Sequence, residues 1–190
     1  MQDNGHNPYS PMPMRIVRAY YESNDYSLKT LELVFDNQKD RETFFEKFNP
    51  GQFCQLSIFG KGEAPFGVAS AAWEGDFVRF TIQKMGSFTQ YAHKLKAGDP
   101  IGMRGPLGNG FPLMDWKGKT LVIIGGGCAF STLYALTKHV HHPQNRQDFD
   151  QLVVIYGART SGLCMYKHDI QSWYQRDDME LHQAIDVPED

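Results

Sequence analysis

Cysteine is scarce: the chain of 190 residues has three, Cys54, Cys128 and Cys164, far apart and odd in number. No Cys-x-x-Cys pair exists, so cysteines of this chain alone build neither a zinc site nor an iron–sulfur cluster. Three isolated thiols suit a reducing cytoplasmic setting, and they read as small buried apolar residues. Excess positive charge is also missing. The formal net charge is −3 and no Lys/Arg cluster interleaves with aromatics, which excludes a nucleic-acid footprint. No apolar run approaches the ~18 residues of a membrane span. Residues 1–13 lack the basic and apolar regions of a secretory signal and read as an extended arm. No Ser/His/Asp, Cys/His or paired-carboxylate arrangement stands out, so hydrolytic chemistry has no visible apparatus. His139, His141 and His142 lack a carboxylate or cysteine companion and read as a solvated helix end, favoured by the helix dipole, rather than a metal site.

Hydrophobic residues at 41% and charged residues at 22% are ordinary for a globular protein, and the length allows one good core or two small ones. Glycine and proline concentrate in residues 98–112, where Gly98, Gly102, Gly105, Gly108 and Gly110 alternate with Pro100, Pro106 and Pro112. Such a run needs special φ values and predicts a tight crossing rather than a flexible tether. Two readings stay open for it: a seam that frames a planar cofactor, or a rigid interdomain loop.

Before that run the chain alternates with period two. Residues 15–21 and 28–35 read as strands, the latter with Leu31, Leu33 and Phe35 on one side. Residues 36–48 place Phe44, Phe45 and Phe48 at helical spacing, and residues 52–59 resume as a strand with Cys54, Leu56 and Ile58 on one face. Residues 77–84 alternate again, with Val78, Phe80 and Ile82 inward; a short strand at 101–104 completes the series. Antiparallel strands at this spacing predict a small closed barrel over residues 14–112, the alternative being one α+β domain without closure. After residue 117 the pattern changes to strand (120–124), helix (129–139), strand (151–156), helix (166–176) and strand (179–185), a parallel sheet. The apolar run at 120–124 predicts a strand covered on both faces. With three strands the sheet is thin, leaving an edge near Ile185 for a partner or for further chain.

Three segments offer binding groups. Pro65, Phe66, Gly67, Val68, Ala69 and Ser70 read as an edge strand with bare backbone, along which a ring could lie flat with Phe66 as a stacking surface. Gly86, Ser87 and Thr89 precede a helical run at 90–96; a hydroxyl-rich helix start suits a phosphate, Lys84 adds a positive charge, and the bland reading is an N-cap. Gly125, Gly126 and Gly127 form a strand–glycine–helix junction, incomplete as a G-x-G-x-x-G, and Arg159 lies at the same carboxyl edge of the sheet.

In order, the motifs Asn7-Pro8-Tyr9, Pro50-Gly51-Gln52-Phe53, Gly62-Glu63-Ala64-Pro65, Met85-Gly86-Ser87-Phe88-Thr89, Arg104-Gly105-Pro106-Leu107-Gly108-Asn109-Gly110-Phe111-Pro112, the glycine turn and Tyr156-Gly157-Ala158-Arg159 resemble the ferredoxin–NADP reductase superfamily. Within it they are most similar to the electron-transfer flavin subunits: the gamma subunits of hydrogenases and sulfhydrogenases, and the corresponding subunits of anaerobic sulfite reductase and dihydroorotate dehydrogenase. The resemblance implies an extended arm (1–13), an FAD-binding antiparallel Greek-key β-barrel (14–112) and a truncated α/β parallel-sheet NAD(P)-binding domain (117–190). Pro65, Phe66, Gly67, Val68, Ala69 and Ser70 would line the isoalloxazine. Thr81, Ile82, Gln83 and Lys84 would pass the ribityl chain and ring edge. Gly86, Ser87, Phe88 and Thr89 would take the pyrophosphate, and Gly126, Gly127 and Arg159 the nicotinamide nucleotide. The implied function is a flavin-dependent NAD(P)H oxidoreductase subunit passing electrons to an iron–sulfur partner of a cytoplasmic redox complex; the alternative is a non-catalytic assembly subunit that keeps the fold without cofactor. The arm and the 179–190 end are the expected docking surfaces.

Four positions depart from the family pattern. Ala64 stands where an Arg often pairs the pyrophosphate, Gly67 where a Ser or Thr usually sits near the reactive flavin nitrogen, and Cys128 and Ser131 where Gly and Pro are usual. In length the chain resembles the first two-thirds of the family's subunit. The cysteine-rich lobe that holds a [2Fe–2S] cluster in this branch falls in the missing part, so such a cluster would come from there or from a partner.

Overall fold

The computed structural model describes residue 7 and residues 9–187. The first half is β1 (Met12–Tyr21), β2 (Leu28–Phe35), α1 (Gln38–Lys47), β3 (Phe53–Ile58), β4 (Gly62–Gly67), β5 (Val78–Gln83), α2 (Ser87–Ala92) and β6 (Pro100–Leu107). These six strands form one antiparallel sheet in the order β4-β3-β6-β1-β2-β5, so β6 returns between β3 and β1. The segment after β4 closes it into a barrel: Val68 N–H donates to Gln52 O at 3.1 Å and Ala69 N–H to Arg79 O at 2.8 Å. Val78, Phe80 and Ile82 point inward, each at most 1% exposed, beside Leu31, Leu33, Leu56 and Met103. Alternation along β5 therefore sorts its residues as the period-two pattern requires.

Two boundaries move. β1 begins at Met12, because Met12 and Pro13 pair with Met103 and Gly102 of β6; the end of the expected arm is thus barrel strand. Residues 1–6, 8 and 188–190 of the arm and of the expected docking end lie outside the described residues. The glycine- and proline-rich run is also mostly strand, since Pro100–Leu107 is β6 and only the residues after it cross to the second half. Its glycines do hold special geometry. Gly105 has φ +156°, and a Cβ there would lie 2.6 Å from Cys54 Sγ.

The second half comprises β7 (Leu121–Gly126), α3 (Phe130–Val140), α4 (Pro143–Arg146), β8 (Leu152–Ala158), α5 (Lys167–Trp173) and β9 (Glu180–Ile185), a parallel sheet in the order β7-β8-β9. Both crossovers step in the same direction, so right-handed connections put α3 and α5 on one face. Tyr134 of α3 accordingly stacks on Tyr166 (3.8 Å) and on Trp173 of α5 (5.6 Å). The other face stays bare, which overturns the expectation of a β7 strand covered on both sides: Val122 and Ile124 are 56% and 66% exposed. Among the described residues no helix is long and apolar enough to cross a membrane.

The outer faces of β2 and β5 form the seam between the halves. Thr81 Oγ1 bonds both Thr30 Oγ1 (2.7 Å) and Tyr166 OH (2.6 Å). Arg79, 8% exposed, donates from Nε and Nη2 to Glu32 Oε1 at 3.2 and 3.0 Å. Its Nη1 reaches Glu74 at 3.5 Å, and Lys138 of α3 completes the cluster at 2.8 Å from the same Glu74 oxygen. Buried charges are retained only when paired in this way.

Candidate functional site

β4 is an edge strand of the barrel, paired on one side by β3 alone. Pro65 is exposed, Phe66 is half-buried, and the Phe66 ring stacks at 5.9 Å on Phe88 from α2, so one aromatic wall joins strand and helix. The rest of the expected ring-lining segment turns inward. Val68, Ala69 and Ser70 are buried, the first two amides close the barrel, and Ser70 Oγ accepts from Arg79 N–H at 3.0 Å. The bare backbone is therefore limited to Pro65, Phe66 and Gly67.

Along β5 the structure separates the expected residues in the same manner. Ile82 belongs to the barrel core and the Thr81 hydroxyl to the seam, while Gln83 and Lys84 reach the surface. The following turn is braced from within. Thr89 Oγ1 accepts the N–H groups of Met85 and Gly86, both at 2.8 Å, and donates to Gly86 O at 2.9 Å. The helix begins at Ser87 rather than at residue 90, so Thr89 lies inside its first turn and its hydroxyl is occupied. What remains for an anion is the exposed Ser87 hydroxyl and the helix-start amides of Ser87 and Phe88, which have no partner within the helix.

At the glycine turn, Gly125 is a packing residue: a Cβ there would meet Leu133 at 2.6 Å and Phe130 at 2.9 Å. Gly126 is exposed and pairs in register with Gly157 of β8, and Gly127 has φ +51° at the entry to α3. Cys128 ties this turn to the barrel through Sγ and Thr81 O at 3.8 Å, and burial pushes its thiol pKa up. Arg159 follows the end of β8, at the expected edge. Its side chain opens into a separate hollow of about 390 Å³ with Asn24, Asp25, Thr160, Gly162, Leu163 and Val187. The structure thus brings Gly126 and Gly127 together, but not Arg159 into one pocket with them.

The histidines correct the expectation of a solvated helix end. Burial holds His139 and His141 below the usual histidine range, His141 packs edge-on against Trp173 at 5.5 Å, and His142 lies 4.8 Å from the Trp73 ring. They are packing groups between α3, α4 and the seam. The sequence reading missed Thr132, Tyr134 and Tyr166, three residues of the second half that meet the barrel wall; burial keeps both tyrosines protonated far into the alkaline range.

No family model matches the chain. It is 34% identical over 155 residues to the sulfhydrogenase 1 gamma subunit of Pyrococcus furiosus, a match covering 80% of this chain and 50% of that protein. It is 38% identical over 139 residues to a probable dihydroorotate dehydrogenase B (NAD(+)) electron transfer subunit of Thermococcus kodakarensis, covering 71% and 54%. The chain therefore spans about half the length of these relatives. Among solved structures, the H286L mutant of the ferredoxin–NADP+ reductase of Plasmodium falciparum superposes with a TM-score of 0.74 at 15% identity, over 95% of this chain and 72% of that one. The Amycolatopsis cytochrome P450 reductase GcoB superposes with a TM-score of 0.75 at 19% identity, over 100% and 56%.

Proposed function

We propose that this chain, a homologue of sulfhydrogenase gamma and dihydroorotate dehydrogenase electron-transfer subunits on a ferredoxin–NADP reductase type of fold, is the flavin-holding part of a redox-complex subunit. The observation that carries the reading is the surface shared by β4 and α2, where an edge strand, the Phe66–Phe88 wall and a Thr89-braced helix start stand side by side.

Those residues fit FAD. Pro65, Phe66 and Gly67 offer a flat apolar strip for the ring, with Gln83 and Lys84 beyond it. Ser87, the first α2 amides and Lys84 offer donors and charge to the pyrophosphate. With Ala64 in place of a cation, the phosphate is held mainly by helix-start amides, which predicts a weaker and less salt-dependent grip than an arginine would give. When bound, FAD supplies the exchange between two-electron and one-electron carriers. The chain's own contribution is to hold the ring against β4, to exclude water by the seam at Thr81 and Tyr166, and to present Gly126 and Gly127 to a second nucleotide. NAD(P)H is the donor this reading assigns to that turn. Residues 1–190 carry three separated cysteines and no cluster-forming set, so this reading assigns the one-electron acceptor to an iron–sulfur cluster beyond them, in further chain or in a partner protein of the same complex.

The test is the visible spectrum of the purified protein. A flavin spectrum, or its appearance after FAD is added and excess removed, supports the reading. A colourless protein that takes up no FAD favours the cofactor-free assembly subunit.

A further inference from the structure

Gly67 ends β4 beside the Phe66–Phe88 wall, and the space its side chain would fill is taken. A Cβ built on residue 67 falls on the hydroxyl oxygen of Thr132, with Thr132 Cβ at 3.3 Å and Cγ2 at 3.7 Å. Thr132 is in the first turn of α3, so the second half of the molecule reaches across the seam and puts a hydroxyl onto the barrel strand. Gly67 and Thr132 are both half-buried, so neither is sealed in the core. No hydrogen bond joins the Thr132 side chain to the described residues, whereas Thr81, Thr89 and Thr137 nearby all use their hydroxyls within the protein.

The wall around it is poor in donors. Pro65 has no N–H and the Val68 and Ala69 amides are used in barrel closure, so besides the strand-edge backbone of Phe66 and Gly67 the strip offers only the Phe66 ring. A flavin held on this strip would need hydrogen-bond donors for the polar edge of its ring, nitrogen and carbonyl oxygen, wherever the protein covers it, or leave it unsatisfied. We infer that the Thr132 hydroxyl is the protein's hydrogen-bond donor to the polar edge of the bound flavin ring, supplied in trans across the seam to the place where strand β4 has no side chain. This rests on the flavin reading above. It assigns Thr132 a binding and positioning role, and it accounts for Gly67: any side chain there would collide with the donor.

The experiment titrates FAD into wild type, Thr132→Val, Thr132→Ser, Gly67→Ser and the double variant Gly67→Ser/Thr132→Ala, with circular dichroism to confirm folding. Valine keeps the shape of threonine and removes the donor. Losing one neutral hydrogen bond predicts a roughly twofold to tenfold weaker Kd, together with a shift of the flavin's visible absorption bands that a packing defect alone would not give. Thr132→Ser restores the wild-type bands. Gly67→Ser alone loses FAD affinity through the collision, and Thr132→Ala in the same chain recovers both affinity and band position, because the serine then carries the hydroxyl from the strand. If wild type binds FAD and Thr132→Val matches it in Kd and spectrum, the assignment is overturned while the flavin reading stands. If wild type takes up no FAD, the flavin reading is overturned and the assignment with it.

Discussion

Replacing Glu32 by leucine tests the seam that positions the two halves. Glu32 is 1% exposed, and its Oε1 accepts two hydrogen bonds from Arg79, itself 8% exposed. Breaking one partner of a buried pair costs about 3–5 kcal/mol, because the other charge remains buried without compensation. Here the lower end applies, since Arg79 keeps Glu74 at 3.5 Å and the Tyr134 hydroxyl at 3.3 Å. The additional contact to Arg18 adds little, because that side chain is 67% exposed and screened by solvent. A loss of about 3 kcal/mol in a chain of this size lowers Tm by roughly 6–12 °C. Urea unfolding followed by tryptophan fluorescence and by circular dichroism measures it. Removing both charges, Glu32→Leu with Arg79→Met, should recover much of the loss, since no orphaned charge is left. A Glu32→Leu protein within about 0.5 kcal/mol of wild type, the range of ordinary surface changes, would mean that the Glu32–Arg79 pair does not hold the seam.

Further outcomes follow from other sites. Acidification should destabilise the fold below the ordinary histidine pKa of 6.5, because burial lowers His93, His139 and His141 in the folded state. Above 6.5 both states are neutral and stability is flat; as pH falls through 6.5 the unfolded chain takes up protons first, so stability drops, and His93→Phe should reduce that slope in pH-dependent urea titrations. Thiol titration of the native protein should find Cys54 and Cys164 unreactive and Cys128 slow, with all three reacting in denaturant. Gly105→Ala should destabilise the barrel by roughly 2–4 kcal/mol, through positive φ and collision with Cys54 Sγ; a change within error in chemical denaturation would contradict that packing. If Arg159 meets a nucleotide phosphate, Arg159→Ala should weaken NADH or NADPH binding about tenfold or more in equilibrium titration. Unchanged affinity removes Arg159 from the site and fits its separate hollow.

Most of the barrel was legible because period-two alternation reports burial directly: Val78, Phe80 and Ile82 had one place to go. The parallel sheet was legible from its strand–helix rhythm. The face of β7 was not, because an apolar run does not say which side both helices will occupy; crossover direction decided that, and left Val122 and Ile124 bare. At the candidate site the motif positions were readable, but the state of their polar groups was not. The Thr89 hydroxyl turned back into its own turn, and the Val68 and Ala69 amides went to barrel closure. Thr132 carried no local signal at all. Its meaning comes from Gly67, 65 residues earlier, through a contact that only the folded seam creates.

Whether the β4–α2 surface holds FAD is decided by titrating FAD into the flavin-free protein and following quenching of the flavin's fluorescence. Saturable binding at one FAD per chain is expected, weakened when Phe66→Ala removes the aromatic wall. Absence of saturable quenching in the folded wild-type protein, or saturable binding that Phe66→Ala leaves untouched, would contradict it.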